Sequence, residues 1–210
     1  MGTRGTFGVV VEEKEKISYN HWDSYPEGLG LSVLAAARRI ASDYDNYRVQ
    51  AAKLRLVGED KTPTERQIKQ LERFSDTMVS SGKKTEWYVL LRNLQGDLLG
   101  TLDVGYMIDG RAFTTDGLFC EWGWIVNFDE KTLECYRGFV KDGEIEGRFK
   151  DDIPSRERGD PYQPIHLLGT FSLNELPEDH EFIHTVKEWY NNSAEKFGEE
   201  YQYEPEDMEV

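Results

Sequence analysis

The residues whose types and spacing indicate chemistry stand together in one short stretch, residues 19–30, with the sequence YNHWDSYPEGLG. His21 and Asp23 are two positions apart, so on an extended strand both side chains would point to one face. A carboxylate beside an imidazole raises the imidazole pKa and fixes its orientation, which suits general acid–base catalysis. We therefore predict His21 and Asp23 as the candidate catalytic residues, with a purely structural hydrogen bond as the alternative.

A ligand site is predicted in the same stretch, because a strand pattern ends there and a helix pattern begins. Residues 24–27 (SYPE) fit a capping box, which would leave the amides of residues 27–29 free at the positive end of a helix dipole. Gly28 and Gly30 would let an anionic ligand or another backbone approach closely. The alternative is a tightly packed turn. The predicted lining of the small-molecule or anion pocket is Arg4, Asn20, His21, Asp23, Ser24 and the amides of Gly28 and Gly30.

The N-terminal residues suggest another possible enzyme class, the N-terminal-nucleophile hydrolases. N-terminal-nucleophile hydrolases begin with a strand hairpin whose first residue is Cys, Ser or Thr and whose own amine acts as the base. A hairpin is predicted directly after the N-terminus, but Thr3 becomes the first residue only if Gly2 is removed together with Met1. The layout therefore fits such an enzyme loosely, and the nucleophile does not fit.

Neither metal ligands nor cofactor motifs are predicted. The four aspartates of residues 97–116 have no EF-hand spacing and are interpreted as turn formers. His180 and His184 are four apart on one predicted helix face, but no Glu-x-x-His pattern or Cys partner accompanies them. The chain has no P-loop and no Gly-x-Gly-x-x-Gly fingerprint, so we predict no cofactor.

The elements that must position the stretch follow from hydrophobic spacing and from turn residues. The first predicted elements are strands over 5–11 and 16–20 and a helix over 28–47, whose extension through 49–57 is left open. A second helix is predicted from the capping box at 62–65 to Gly82, followed by a helix or strand over 86–95 and an irregular segment over 97–117. The remaining predictions are strands over 120–128 and 133–137, a small hairpin at 142–143, a strand over 165–173 and a helix over 177–198. Strands grouped apart from helices indicate an α+β fold rather than alternating βαβ units.

We therefore predict a single layered α+β domain over residues 1–198, followed by an acidic, disordered tail over residues 199–210. Layering like that of the N-terminal-nucleophile hydrolases is left open.

The two cysteines are predicted to be buried free thiols. With a hairpin turn at residues 129–130, Cys135 pairs opposite Trp124, and Cys120 lies four residues away, about 13 Å at the strand rise. A disulfide needs Cα atoms within about 7 Å. Free thiols, the lack of a signal-peptide pattern and the lack of a long apolar run together predict a cytoplasmic protein without a membrane span.

The formal net charge is −15, from 25 Lys and Arg against 40 Asp and Glu. Binding to nucleic acid needs cationic groups that displace counterions, so this charge argues against nucleic-acid partners and also against anionic membranes. An acidic surface suits a basic partner instead. The alternative function is therefore a non-enzymatic, acidic protein that binds and modulates another protein, a host protein if the chain is phage-encoded.

Two of these segments, MGTRG at residues 1–5 and the stretch 19–30, resemble a family of uncharacterised proteins from bacteriophages, bacteria and fungi. Further matching patches lie at residues 87–88, 90–92, 95–97, 119–122, 132–134 and 136–138, so the resemblance covers about residues 1–140. The resemblance implies kinship and brings no established activity. A small molecule or a host protein thus remains the predicted partner, and whether the protein is an enzyme stays open, as does its oligomeric state.

Overall fold

The computed structural model describes residues 2–58, 60–155, 162–199 and 202–203. The strands there are β1 (Gly5–Val11), β2 (Lys14–Asn20), β3 (Arg55–Val57), β4 (Tyr106–Ile108), β5 (Trp122–Asn127), β6 (Thr132–Arg137) and β7 (His166–Ser172). The α-helices are α1 (Leu31–Ser42), α2 (Tyr44–Lys53), α3 (Glu65–Leu71), α4 (Trp87–Leu90), α5 (Leu98–Val104) and α6 (Asp179–Lys196). The α+β fold predicted from the sequence is confirmed.

The main sheet has five strands in the order β2-β1-β5-β6-β7. β1 pairs antiparallel with β2 and parallel with β5, and all seven of its residues are buried. The predicted hairpin is confirmed, and its second strand begins two residues earlier, at Lys14. A separate parallel pair joins β3 to β4.

Helices cover one face of the sheet, and the main core lies between them. Trp124 and Leu133 of the sheet belong to the same buried cluster as Leu34 of α1 and Phe182 of α6. The indoles of Trp122 and Trp124 stack nearly parallel, with centroids 5.6 Å apart and an interplanar angle of 5°. Aromatic stacking of this kind adds to the free energy that burial of the rings contributes.

Irregular segments cover the opposite face. Ile125 and Tyr136 pack there against Phe149 and Ile165, which lie outside the strands. A charged group lies at the edge of this cluster, where the guanidinium of Arg148 donates to both carboxylate oxygens of Glu134, at 2.8 and 2.5 Å. The described layers are therefore helices, one main sheet and irregular chain.

The prediction of one continuous helix over residues 28–47 is wrong. The chain breaks at Asp43, whose φ and ψ of −145° and 51° are not helical, and a second helix continues to Lys53. The capping box also lies two residues later than predicted. Thr64 is the N-cap, its hydroxyl accepts from the amide of Gln67 at 3.3 Å, and the Gln67 side chain accepts from the amide of Thr64 at 2.8 Å.

Three further predictions of local structure are wrong. The helix predicted to reach Gly82 ends at Leu71, and Met78, within the predicted helix, is 92% exposed. The segment predicted to be irregular contains α5 and β4. Asp97 acts there as the N-cap of α5, since its side chain accepts from the amide of Gly100 at 2.9 Å. Gly143 has a positive φ of 100°, but no strands flank it, so the small hairpin is absent from the described chain.

The hairpin of β5 and β6 has the predicted register, with Trp124 opposite Cys135. Cys120 and Cys135 are both buried and free, as predicted. Within the described parts of the chain, no helix combines the length and the apolar character that a membrane crossing requires.

Two residues of the predicted acidic tail pack against the domain. The carboxylate of Glu199 pairs with the buried guanidinium of Arg137, and the backbone of Tyr203 exchanges two hydrogen bonds with the Asn191 side chain, at 2.9 and 2.7 Å. Residues 200, 201 and 204–210 of that tail lie outside the described residues.

Candidate functional site at the strand–helix junction

The chain leaves β2 at Asn20 and enters α1 through a π-helical turn, Pro26–Gly30. Two long-range hydrogen bonds hold the corner at Ser24. The indole N–H of Trp124 donates to the Ser24 carbonyl at 2.8 Å, and the Ser24 amide donates to the Thr3 carbonyl at 3.1 Å. The junction is therefore fixed to the centre of the sheet and to the N-terminal segment.

Ser24 does not cap a helix, so the predicted capping box at this position is wrong. Its side chain is fully buried, and its hydroxyl accepts from the Asn20 amide group at 2.9 Å. Tyr25 occupies the N-cap position without any side-chain hydrogen bond. Ser24 thus serves the packing of the corner.

The backbone amides expected to bind an anion are already occupied. The amides of Gly28 and Gly30 donate to the Tyr25 carbonyl at 3.1 and 3.2 Å, and the Leu29 amide donates to the Asp23 carbonyl at 2.8 Å. The amides of residues 28–30 therefore have partners within the turn and are not free donors for an anion.

The two glycines of the turn serve close packing of the protein's own atoms. A Cβ on Gly28 would lie 2.2 Å from the Asp23 carbonyl oxygen. A Cβ on Gly30 would lie 3.0 Å from the Trp124 ring and 3.2 Å from the Phe182 ring. The sequence left open whether these glycines admit a ligand or another part of the chain, and the structure shows another part of the chain beside each.

His21 is paired with Tyr19 and not with Asp23. Its Nδ1 lies 2.6 Å from the Tyr19 hydroxyl, and its ring packs edge-on against Trp22 with centroids 4.3 Å apart. The prediction of one shared face fails because β2 ends at Asn20 and Asp23 has a φ of 51°. Burial, helped by the positive charges of Arg92 and Arg4, lowers the pKa of His21, so the imidazole is neutral at pH 7.

Arg4 and Arg92 are the cations whose fields reach this imidazole. The Arg4 guanidinium lies 5.3 Å from the centre of the Phe119 ring, and the Arg92 guanidinium lies 5.7 Å from the centre of the Tyr88 ring. Among the described residues, neither guanidinium has a carboxylate oxygen within 4 Å.

A cleft of about 680 Å³, here called the junction cleft, opens beside the turn. The aromatic wall is Trp22, which is 55% exposed, and amide side chains come from Asn20 and Gln95. Its charged lining consists of three carboxylates, those of Asp23, Glu27 and Asp97.

These carboxylates differ in what they contact. Glu27 forms an ion pair with Lys187 at 2.5 Å, and Asp97 accepts from the amide of Gly100. The Asp23 carboxylate is exposed and has no hydrogen-bond or ion-pair partner in the described chain. It is therefore the acid of this cleft that is free to meet a ligand.

A smaller cleft of about 350 Å³, here called the arginine cleft, adjoins the junction cleft. Trp22, Asn20 and Gln95 line both clefts. The remaining residues of the arginine cleft are Asp76, Arg92 and Asn93.

The predicted site residues are only partly brought together. Asn20, Asp23 and Gly28 line the junction cleft, whereas Arg4, His21, Ser24 and Gly30 lie outside its lining. The prediction missed residues that come from far along the chain, namely Arg92, Gln95 and Asp97, and it also missed Trp22 and Glu27 within the stretch itself. The sequence signal that could have indicated Trp22 is its position between the polar residues His21 and Asp23.

A metal centre finds no support in this geometry. No group of three or more His, Cys, Asp or Glu side chains lies close enough to hold an ion within residues 2–58, 60–155, 162–199 and 202–203. The three carboxylates of the junction cleft therefore do not form such a group.

No protein-family model matches the chain, and neither a curated protein nor a solved structure is significantly similar to it. The kinship with uncharacterised phage, bacterial and fungal proteins stays a prediction, and the function has to be argued from the site alone.

Proposed function

We propose that the protein binds a small, positively charged molecule in the junction cleft. The observation that supports this most directly is the Asp23 carboxylate, exposed and unpartnered among the described residues, next to the exposed indole of Trp22. A cation over an indole face and beside a carboxylate gains from both groups.

The lining of the cleft favours this charge over the anion predicted from the sequence. Three carboxylates and no Lys or Arg side chain line the cleft among the described residues. An anion there would face like charges, and the turn amides that were expected to hold it donate to backbone carbonyls instead.

Binding is better supported than hydrolysis. A general base needs a partner that orients it toward substrate, and the predicted partner of His21, Asp23, makes no contact with the imidazole. The Nδ1 of His21 contacts a tyrosine hydroxyl, and the ring lies outside the lining of the cleft.

The test is titration of the protein with agmatine, a compound with an ammonium and a guanidinium group, followed by calorimetry and by tryptophan emission. Trp87, Trp122 and Trp124 are at most 5% exposed, and the partly buried Trp189 lies outside the lining of the cleft, so a change in emission on binding is attributed mainly to Trp22. Asp23→Asn should weaken agmatine binding about tenfold or more, since it removes a charge-assisted contact. Trp22→Phe should abolish the optical signal.

The matched control is Asp45→Asn, which removes the same charge from an exposed position on α2 outside the cleft. An equal loss of affinity in both variants would mean that agmatine responds only to the overall negative charge. That outcome, or no binding at millimolar agmatine, contradicts the proposed site.

A second candidate function, binding of a basic protein partner, is favoured by the net charge of −15. Such binding is electrostatic, so a host protein should be retained by the immobilised chain at low salt and released at high salt. Retention of no protein at low salt would contradict this function.

A further inference from the structure

The junction cleft and the arginine cleft meet at the exposed indole of Trp22 and differ in the charges they present. Asp23 lies in the first and Arg92 in the second, and Asn20 and Gln95 line both. The two clefts are therefore adjacent at these shared side chains.

Most N–H groups of the Arg92 guanidinium donate to no acceptor in the described chain. A guanidinium carries five N–H donors, and one of those of Arg92 donates to the side-chain oxygen of Gln95. Its guanidinium packs over Tyr88, and it has no carboxylate oxygen within 4 Å in the described parts of the chain. An arginine in this state is suited to bind a carboxylate with two parallel hydrogen bonds.

Asp76 also lines the arginine cleft, but it is engaged elsewhere. Its Oδ1 accepts from the backbone amide of Met78 at 2.8 Å, within its own turn. The Asn93 side chain likewise donates to the Ser75 carbonyl at 3.3 Å. Among the described lining residues of this cleft, Arg92 is therefore the cation, and it has open hydrogen-bonding positions.

We propose that the ligand is a zwitterion, with its cationic group in the junction cleft near Asp23 and its carboxylate in the arginine cleft on Arg92. This inference rests on the proposed function. The ligand class is that of amino acids and related small molecules whose ammonium or guanidinium group is separated from a carboxylate by several bonds. The indole of Trp22 then contacts the chain that joins the two charges.

The experiment compares L-arginine with agmatine, which is the same molecule without the carboxylate. Binding of each is measured by calorimetry to the wild-type protein and to the Arg92→Met variant. We expect arginine to bind the wild type about tenfold more tightly than agmatine, because one bidentate charge pair is gained. Arg92→Met should remove that difference by weakening arginine binding about tenfold.

Matched variants separate this inference from simpler explanations. Arg48→Met removes an exposed arginine on α2 and should preserve the preference for arginine. Asp23→Asn should weaken both ligands. Circular dichroism and urea unfolding confirm that each variant is folded before its affinity is interpreted.

The possible failures are distinguishable. If agmatine binds the wild type as tightly as arginine does, the zwitterion inference is overturned and the proposed function stands. An equal loss of both ligands in Arg92→Met would assign Arg92 a structural role and overturn the inference as well. Binding of neither ligand would remove the proposed function together with it.

Discussion

At the scale of single residues, the backbone of Asp23 is the most informative feature of the junction. Its φ of 51° lies in the left-handed region, which L-residues avoid and which costs roughly 1 kcal/mol. Asp tolerates the region better than most residues. Gly28 lets the Asp23 carbonyl approach, because a Cβ on Gly28 would lie 2.2 Å from that oxygen. A strained residue that is also an unpartnered acid in a cleft fits a binding role.

Two substitutions at Asp23 separate strain from binding. Asp23→Gly removes the carboxylate and the Cβ strain, whereas Asp23→Ala removes the carboxylate and keeps the Cβ. We expect Asp23→Gly to be more stable than Asp23→Ala by about 1 kcal/mol in urea unfolding. Both variants should lose affinity for agmatine equally, since both lack the charge.

The stability and the binding of these variants test different statements. Equal free energies of unfolding for Gly and Ala would show that the positive φ carries no strain in solution. Wild-type affinity in either variant would show that the Asp23 carboxylate does not contact the ligand.

Sequence reasoning located this corner but not its contacts. It placed His21 and Asp23 on one face by assuming extended backbone beyond the strand, whereas Asp23 has a φ of 51°. The residues that occupy the corner come from far away: Trp124 is 100 positions from Ser24, whose carbonyl accepts its indole N–H. No local pattern reports such a partner, so the contact that fixes Ser24 could not be recognised before the fold was known.

At the scale of elements, a lysine of β2 terminates α2. The ammonium group of Lys16 donates to the carbonyls of Ala51, Ala52 and Leu54, at 2.6, 2.9 and 2.8 Å. The last carbonyls of a helix lack partners within the helix, and a cation there also interacts favourably with the helix dipole. Lys16 is only 7% exposed, so these contacts are formed away from water.

Lys16→Met should lower the free energy of unfolding by about 2–3 kcal/mol, because it leaves carbonyls of the α2 terminus without their donor. Urea unfolding measures the loss. Lys14→Met is the matched control, since Lys14 is exposed on the same strand, and its effect should stay within about 0.5 kcal/mol. Similar losses for the two variants would contradict a specific role of Lys16 in ending α2.

The pairing of β5 with β6 could be predicted from the sequence, whereas the break between α1 and α2 could not. The register of β5 and β6 follows from one turn and the alternation of apolar residues, and the predicted pair Trp124–Cys135 is observed. The break at Asp43 could not be foreseen, because the apolar spacing runs on through Tyr44 and Tyr47 into α2. Helical spacing reports a buried face, and it does not report that the chain bends between two helices sharing that face.

At the scale of the whole molecule, buried polar groups tie the outer segments to the sheet. Glu134 accepts from Arg148, from Asn127 at 2.7 Å and from Tyr136 at 2.7 Å. Burial alone would raise the pKa of Glu134, but these donors outweigh it and hold the pKa below its ordinary value. This contribution to stability is present above the unfolded-state pKa and is lost as the pH falls below about 4.5.

His166 adds a second pH dependence, in a higher window. It is 4% exposed, its Nδ1 accepts from the Glu146 amide at 2.9 Å, and burial, with the nearby charge of Lys196, lowers its pKa to about 4. The unfolded chain binds a proton near pH 6.5 and the folded chain does not, so stability must fall as the pH drops from about 6.5 toward 4.

Between pH 6.5 and 4.5 this loss should amount to about 2–3 kcal/mol, since each pKa unit corresponds to about 1.4 kcal/mol. His166→Asn keeps an acceptor for the Glu146 amide but cannot be protonated, so its unfolding free energy should change little across that window. His180→Asn, at an exposed position on α6, should retain the wild-type dependence. Urea unfolding at intervals of half a pH unit measures all three proteins. An undiminished pH dependence in His166→Asn would show that this imidazole is not the group that couples protonation to unfolding.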